Sequence, residues 1–142
     1  MMAFARAMRV LVAVSAATVT AACSFATYAS GKSPDIPAAA SAADAQVIAS
    51  GSGENAYVDG SGAHWYVVSR DGSDNATVLV TVLDFSNERA RDGAFRQIQY
   101  RSRRLPYSVV LTYGDAVIEI GRIHDGGLAT DLAEAMRDAG AR

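Results

Sequence analysis

Two histidines and several carboxylates are the residues of this chain best suited to metal binding. His64 and His124 could join one acidic residue in a two-histidine, one-carboxylate site, and the acidic candidates are Asp115, Glu119 and Asp125. His64 begins a predicted strand and His124 ends another, where a histidine is more often a surface or half-buried polar residue. We therefore predict no metal ligand and no cofactor.

No nucleophile motif accompanies these histidines. The chain contains neither G-x-S-x-G nor S-x-x-K. Its one cysteine, Cys23, excludes an internal disulfide, a four-thiolate zinc site and a CxxC redox pair. We predict no catalytic residue, and a small hydrolase or metal-binding protein stays only as an alternative.

Two further segments partly match known ligand-binding loops, one for dinucleotides and one for calcium. Residues 51–56 match G-x-G-x-x-A, but a strand-and-turn sequence follows them where a dinucleotide site needs a helix. Residues 71–75 have the acid density of a calcium loop without its ligand spacing. We interpret the first segment as a flexible Gly-Ser end of a tether and the second as a solvated hairpin loop.

Four arginines form the one concentrated charge of the chain: Arg96, Arg101, Arg103 and Arg104. Arginine at the end of a helix complements the negative end of the helix dipole, so these residues could simply form a solvated helix end. If they have a function, we interpret them as a contact for anionic lipid headgroups, wall polymers or an acidic partner, flanked by Tyr100 and Tyr107.

The overall charge excludes a general nucleic-acid binder. The 142 residues carry 13 basic and 15 acidic side chains, for a net charge of −2, whereas such binders are strongly basic. We expect no nucleic-acid partner.

The N-terminal segment has the layout of a signal peptide. Arg6 and Arg9 precede the apolar run that starts at Val10, and no acidic residue occurs before Cys23. The run of about 13 residues is shorter than the roughly 20 of a spanning helix. Translation from Met8 instead of Met1 or Met2 would leave the mature protein unchanged.

Thr20-Ala21-Ala22-Cys23 resembles the lipobox of bacterial lipoproteins, although Thr20 stands where that family usually has an aliphatic residue. The resemblance covers residues 1–23 and implies that Cys23 receives a diacylglyceryl group and becomes the first residue. An ordinary secretory cleavage near Ala22 or Ala29 and an uncleaved anchor are the alternatives. With Cys23 as its first residue, the mature chain would carry 11 basic and 15 acidic residues, a net charge of −4, and the two acyl chains would suffice for stable anchoring.

Composition divides the chain into a signal peptide at 1–22, a tether at 23–53 and a domain at 54–142. Within 24–53, 20 of 30 residues are Ala, Ser, Gly or Pro, a composition typical of a flexible linker. Residues 38–49 could alternatively form a short helix, because Pro37 suits a first helical position.

Hydrophobic periodicity predicts the elements of the domain. We expect strands at 64–68 and 77–83, and the second should be central because it is apolar on both faces. A helix at about 87–100 would have Ser86 as its cap. A last helix at 128–139 would end at Gly140, and 57–58 would add a short edge strand.

A hairpin at 107–123 turns at Gly114. This turn places Leu111 opposite Ile118 and Tyr113 opposite Ala116.

The order ββαββα predicts an α+β two-layer sandwich, with two helices against an antiparallel or mixed sheet of four or five strands. Residues 77–139 loosely resemble the small βαββα modules of uncharacterised bacterial lipoproteins, which implies a fold and no activity. We expect an exported, lipid-anchored protein on the extracytoplasmic face of the cell membrane. Its partners would be the bilayer, through acylated Cys23, and an anionic envelope component or envelope protein. A binding or accessory module is favoured over a structural envelope protein.

Overall fold

The computed structural model describes residues 33–57, 62–104 and 108–142. Its elements, in chain order, are α1 (Ile36–Ala42), β1 (Gln46–Glu54), β2 (Gly62–Ser69), β3 (Thr77–Asp84), α2 (Glu88–Ser102), β4 (Val109–Tyr113), β5 (Ala116–Gly121) and α3 (Gly126–Asp138).

The five strands form one antiparallel sheet in the order β1-β2-β3-β5-β4. β3 lies at its centre, as expected for a strand that is apolar on both faces. The β4–β5 hairpin has the predicted register, with Leu111 opposite Ile118 and Tyr113 opposite Ala116. Gly114 supplies the positive φ, 53°, that the two-residue turn requires.

The larger core lies between one face of the sheet and the helices α1 and α3. Val78, Val80 and Val82 of β3 point to this side, which we call the α1/α3 face. The helices contribute apolar residues at helical spacing that are almost completely buried: Ile36, Ala40, Leu128, Leu132 and Met136. Burial of this apolar surface is the main force that holds the helices to the sheet.

The second core lies on the opposite side, the α2 face. Leu83 and Val117 point there because side chains alternate along a strand, and Ala94 and Ile98 of α2 cover them. The α+β class and the sheet of four or five strands are thus confirmed. The described residues form three helices where the sequence predicted two, and these helices divide between the two faces.

The boundary predicted between tether and domain at residue 53 is wrong. Ile36 is completely buried, and β1 pairs with β2 from Gln46 to Glu54. Of the short helix considered for 38–49, only the first part is helical, in α1 at Ile36–Ala42, where Asp35 is the cap and Pro37 occupies the first turn. Residues 46–49 belong to β1 instead. Since β1 is the edge strand, the edge strand predicted at 57–58 is not formed at Tyr57, and Val58 lies outside the described residues.

The helices α2 and α3 each begin at a side-chain cap, and the cap of α2 is not the predicted residue. Asn87, and not Ser86, caps α2 by accepting a hydrogen bond from the Ala90 amide at 2.9 Å. Asp125 caps α3 by accepting from the Leu128 amide at 2.9 Å. Gly140, at φ 109°, ends that helix as predicted.

Candidate binding surface

The four clustered arginines, Arg96, Arg101, Arg103 and Arg104, lie on the second half of α2 and just after it, and we call them the arginine surface. Arg101 is already partnered: its guanidinium lies 3.1 Å from the Glu119 carboxylate and 5.7 Å from the centre of the Tyr57 ring. The Arg101 side chain is 55% exposed and that of Glu119 only 17%. Arg101 therefore neutralises a carboxylate on the α2 face of the sheet, which limits its use for a ligand.

The other three arginines are more available. The Arg104 guanidinium lies 5.1 Å from the centre of the Tyr100 ring and donates a 2.9 Å hydrogen bond to its hydroxyl. Arg103 is the exposed C-cap residue of α2, and Arg96 donates to the Asp92 carbonyl. Tyr107, the other expected flanking contact, lies outside the described residues. The structure thus separates Arg101 from the rest of the run.

Exposed aromatic rings accompany the arginines on this side of the molecule. Tyr100 is 62% exposed and Trp65 is 39% exposed. Trp65 lies flat over Gly51 of the edge strand, where an added Cβ would come within 2.5 Å of the indole ring. Trp65 also shares a row across the α2 face with Thr81 and Glu119. The α2 face therefore presents cationic and aromatic groups together, a combination that suits anionic ligands with apolar parts.

A small polar cluster occupies the α1/α3 face near the start of β2. The imidazole Nε2 of His64 lies 3.4 Å from Oδ2 of Asp84, and Tyr66 is the next residue of β2 on the same face. Burial raises the pKa of Asp84, and His64 offsets part of that rise. The pKa of the Tyr66 hydroxyl is also raised, chiefly by burial and to a smaller extent by the negative charges of Asp84 and Asp35.

Asp84→Asn is expected to stabilise the fold at pH 7 but not at pH 3. Because burial favours the neutral acid, the folded chain holds this proton more tightly than the unfolded chain does. The stability so contributed is complete below the ordinary pKa of 3.8 and is lost as the pH rises through the raised value. The gain at pH 7 should stay below about 1 kcal/mol, because 35% of the Asp84 side chain is exposed and solvent screens its charge.

Urea denaturation of the variant at both pH values measures this difference. Asp74→Asn in the exposed loop is the matched control for the removal of one carboxylate. A loss of stability at pH 7 in Asp84→Asn would mean that its pairing with His64 outweighs the cost of burial.

The residues considered for a metal site are not brought together. His64 lies near the start of β2, whereas the His124 amide donates to the Thr77 carbonyl at the other end of the sheet. Asp125 caps α3, and Glu119 pairs with Arg101. Among the described residues, no group of three or more His, Cys, Asp or Glu side chains could hold a metal ion.

The two segments that partly match ligand-binding loops, residues 51–56 and 71–75, have structural roles. Residues 51–54 belong to strand β1, so the glycine pattern opens no helix and is not a tether end. In the 71–75 loop, one oxygen of Asp71 accepts from the Ser73 amide at 2.8 Å and from the Ser69 hydroxyl at 3.0 Å. These hydrogen bonds lower the pKa of Asp71. The carboxylate therefore closes the hairpin loop.

Arg70 joins the helices of the larger core in a way that the sequence did not indicate. It donates to the Ala43 carbonyl at 2.9 Å, lies 3.5 Å from Asp125 and forms an ion pair with Asp131. A basic residue at the start of a polar loop gives no signal of such partners, which come from elements 27 and 61 residues away.

One cleft opens between α1 and α3 beside Tyr113. Its volume is about 200 Å³, and it is mostly apolar, with Asp35 as the one charged residue in its lining. The lining residues are Pro34, Asp35, Ala38, Ala39, Ala42, Tyr113, Ala135, Met136 and Ala139. It brings no acid, base and nucleophile together, so it supports no catalytic role.

Cys23, the candidate lipidation site, lies outside the described residues. Within the described ranges, no helix has the length and apolar character needed to cross a membrane. Comparison with protein-family models, curated proteins and solved structures found no match.

Proposed function

We propose that this protein is a lipid-anchored extracytoplasmic module that binds an anionic polymer of the cell envelope through its arginine surface. The observation that carries the proposal is the pair Arg103 and Arg104, exposed at the end of α2, with Arg104 stacked on the exposed Tyr100 ring. This cationic and aromatic patch stands on a chain whose net charge is negative.

The fold supports a polymer ligand over the bilayer itself. α1 begins at Ile36, directly after its cap Asp35, at the end of the sheet where Tyr113 lies. α2 ends at the opposite end, where the Ser108 hydroxyl reaches the Ser102 carbonyl, and on the other face. A chain anchored upstream of α1 therefore holds the arginine surface away from its point of attachment.

The anchor and the fold are also close in sequence. Twelve residues separate Cys23 from Ile36, a length that spans at most about 45 Å when fully extended. Such a tether keeps the domain within reach of the membrane and leaves its far side free to meet material of the envelope.

Changing Arg103 and Arg104 together to Gln is expected to weaken polymer binding several-fold at low salt. Electrostatic contact acts directly or over about a Debye length, roughly 8 Å at physiological salt. The change should leave stability within about 1 kcal/mol, because exposed charges contribute little. Arg101 is kept, so that the Glu119 carboxylate retains its partner.

The binding of a soluble anionic polysaccharide and of isolated wall material measures this effect, and anionic and zwitterionic vesicles form the comparison arm. Arg89→Gln, on the exposed start of α2, is the control. Arg91 is left unchanged, because its guanidinium donates a hydrogen bond to the Gly114 carbonyl. Equal loss in the control, or unchanged binding, would refute the arginine surface as the ligand site. Stronger binding to anionic vesicles than to polymer would identify the bilayer as its target.

A further inference from the structure

The two edges of the sheet differ in their protection. On the outer side of β4, the backbone of Arg142 exchanges two hydrogen bonds with Thr112, at 2.7 and 2.9 Å. This short contact covers Thr112, the fourth residue of a strand of only five. Arg142 of the same chain therefore protects part of this sheet edge.

The other edge, β1, is nine residues long and has no partner strand on its outer side among the described residues. Natural proteins commonly protect such an edge with lysine, proline, a bulge or a covering element. β1 has one bulge, at Ile48, and neither lysine nor proline. Its one charged residue is Glu54, at the very end.

The side chains of β1 leave its backbone accessible. Residues 49–53 are Ala, Ser, Gly, Ser and Gly, and all but Gly51 are exposed. None of them is long enough to cover the outer N–H and C=O groups. An open edge of this kind is a template for an added strand, whose main-chain hydrogen bonds supply affinity.

We propose that β1 pairs antiparallel with β1 of a second copy of this chain, about a two-fold axis at Ser50. Ser50 is the midpoint of Gln46–Glu54, so this register gives the longest overlap of the two strands, interrupted where the bulge at Ile48 faces Ser52 of the other copy. A two-fold contact uses the same patch on both copies and closes at a dimer. The two five-stranded sheets become one sheet of ten strands.

This register is chemically self-complementary. It brings Gln46, beyond the bulge, near Glu54 of the other copy, an amide beside a carboxylate, and no like charges face each other. At the centre, Ser50 meets its own equivalent, and Ala49 meets Gly51. The small residues at the seam let the strands approach without steric conflict from either face.

The same symmetry fits the arrangement of the two faces. Because the axis is perpendicular to the sheet, both α2 faces lie on one side of the dimer and both α1/α3 faces on the other. Two arginine surfaces then face the same direction. This pairing stands on the sheet edge alone and does not depend on lipidation or on polymer binding.

Disulfide crosslinking of the full chain tests the register. Directly opposed residues of antiparallel strands have Cα atoms about 4.5–5.5 Å apart, within the range of a disulfide. Ser50→Cys is expected to form a covalent dimer under mild oxidation. Ser52→Cys, on the same face but about 13 Å from its equivalent in this register, should crosslink at least about tenfold more slowly. The parental chain controls for any reaction of Cys23.

A charge at the axis gives an independent readout. Ser50→Lys places two ammonium groups face to face, so the dimer dissociation constant should rise at least about tenfold by sedimentation equilibrium. Gln97→Lys, exposed on α2, adds the same charge and should leave the dimer intact. Equal crosslinking of the two cysteine variants, a monomeric parental chain, or equal effects of the two lysine variants would each overturn the proposal. Protected β1 amides in a monomer would show instead that another segment or partner covers this edge.

Discussion

Replacing Leu111 with Asp is expected to unfold the domain. Leu111 is 3% exposed and lies opposite Ile118 on the α1/α3 face, within the larger core. An aspartate there has no described cation beside it, so the change buries an uncompensated charge and should cost more than about 4 kcal/mol. Domains of this size are typically stable by only about 5–15 kcal/mol. Near-ultraviolet circular dichroism and urea denaturation measure the loss.

Two further variants make this result specific. Leu111→Ala should cost about 2–5 kcal/mol and retain the fold, because it leaves a cavity without a charge. Gln97→Asp, at an exposed position of α2, should change stability by less than about 0.5 kcal/mol. A Leu111→Asp chain with native stability, or unprotected amides at Leu111 and Ile118 in the parental protein, would contradict the core described here.

The part of the fold that the sequence predicted best is the part specified by local chemistry. The turn at Gly114 and the alternation on both sides of it determine one register for the β4–β5 hairpin, and the structure has that register. Residues 77–83 are apolar on both faces, which predicts a central strand, and β3 lies at the centre of the sheet. These signals lie within a few residues of the element they specify.

α1 and β1 could not be predicted in the same way. Residues 36–53 are mostly alanine, serine and glycine, which indicate a linker when taken alone. β1 becomes a strand because β2 supplies its hydrogen-bond partners and Trp65 covers Gly51. Its structure depends on contacts with later parts of the chain, which override weak local propensity.

The candidate surface was likewise predicted only in outline. The four arginines are visible as a cluster in the sequence, but their spacing does not distinguish one from another. It gives no sign that Arg101 forms an ion pair with Glu119 of β5. The pairing of His64 with Asp84 was also missed, since it joins neighbouring strands 20 residues apart in sequence. The exposure of Trp65 on β2 could not be predicted either, because it depends on α2 packing over β4 and β5 on that face of the sheet.

Replacing Cys23 with Ser is expected to abolish attachment of fatty acid. The thiol is the group that accepts diacylglyceryl in the lipobox proteins that residues 20–23 resemble. The variant should accumulate as an unprocessed or released form and lose palmitate labelling. Ser24→Ala, one residue downstream, is the control and should label as the parental chain does. Equal labelling of the parental and Cys23→Ser chains would exclude Cys23 as the acceptor.

The intact mass of the chain purified from bacterial membranes tests lipid anchoring most directly. We expect a polypeptide that begins at Cys23 and carries the mass of a diacylglyceryl group on that residue. N-terminal fragments should confirm that residues 1–22 are absent. A chain that begins at Met1, Met2 or Met8, or one cleaved near Ala22 or Ala29 with an unmodified Cys23 or none, would contradict a lipid-anchored protein.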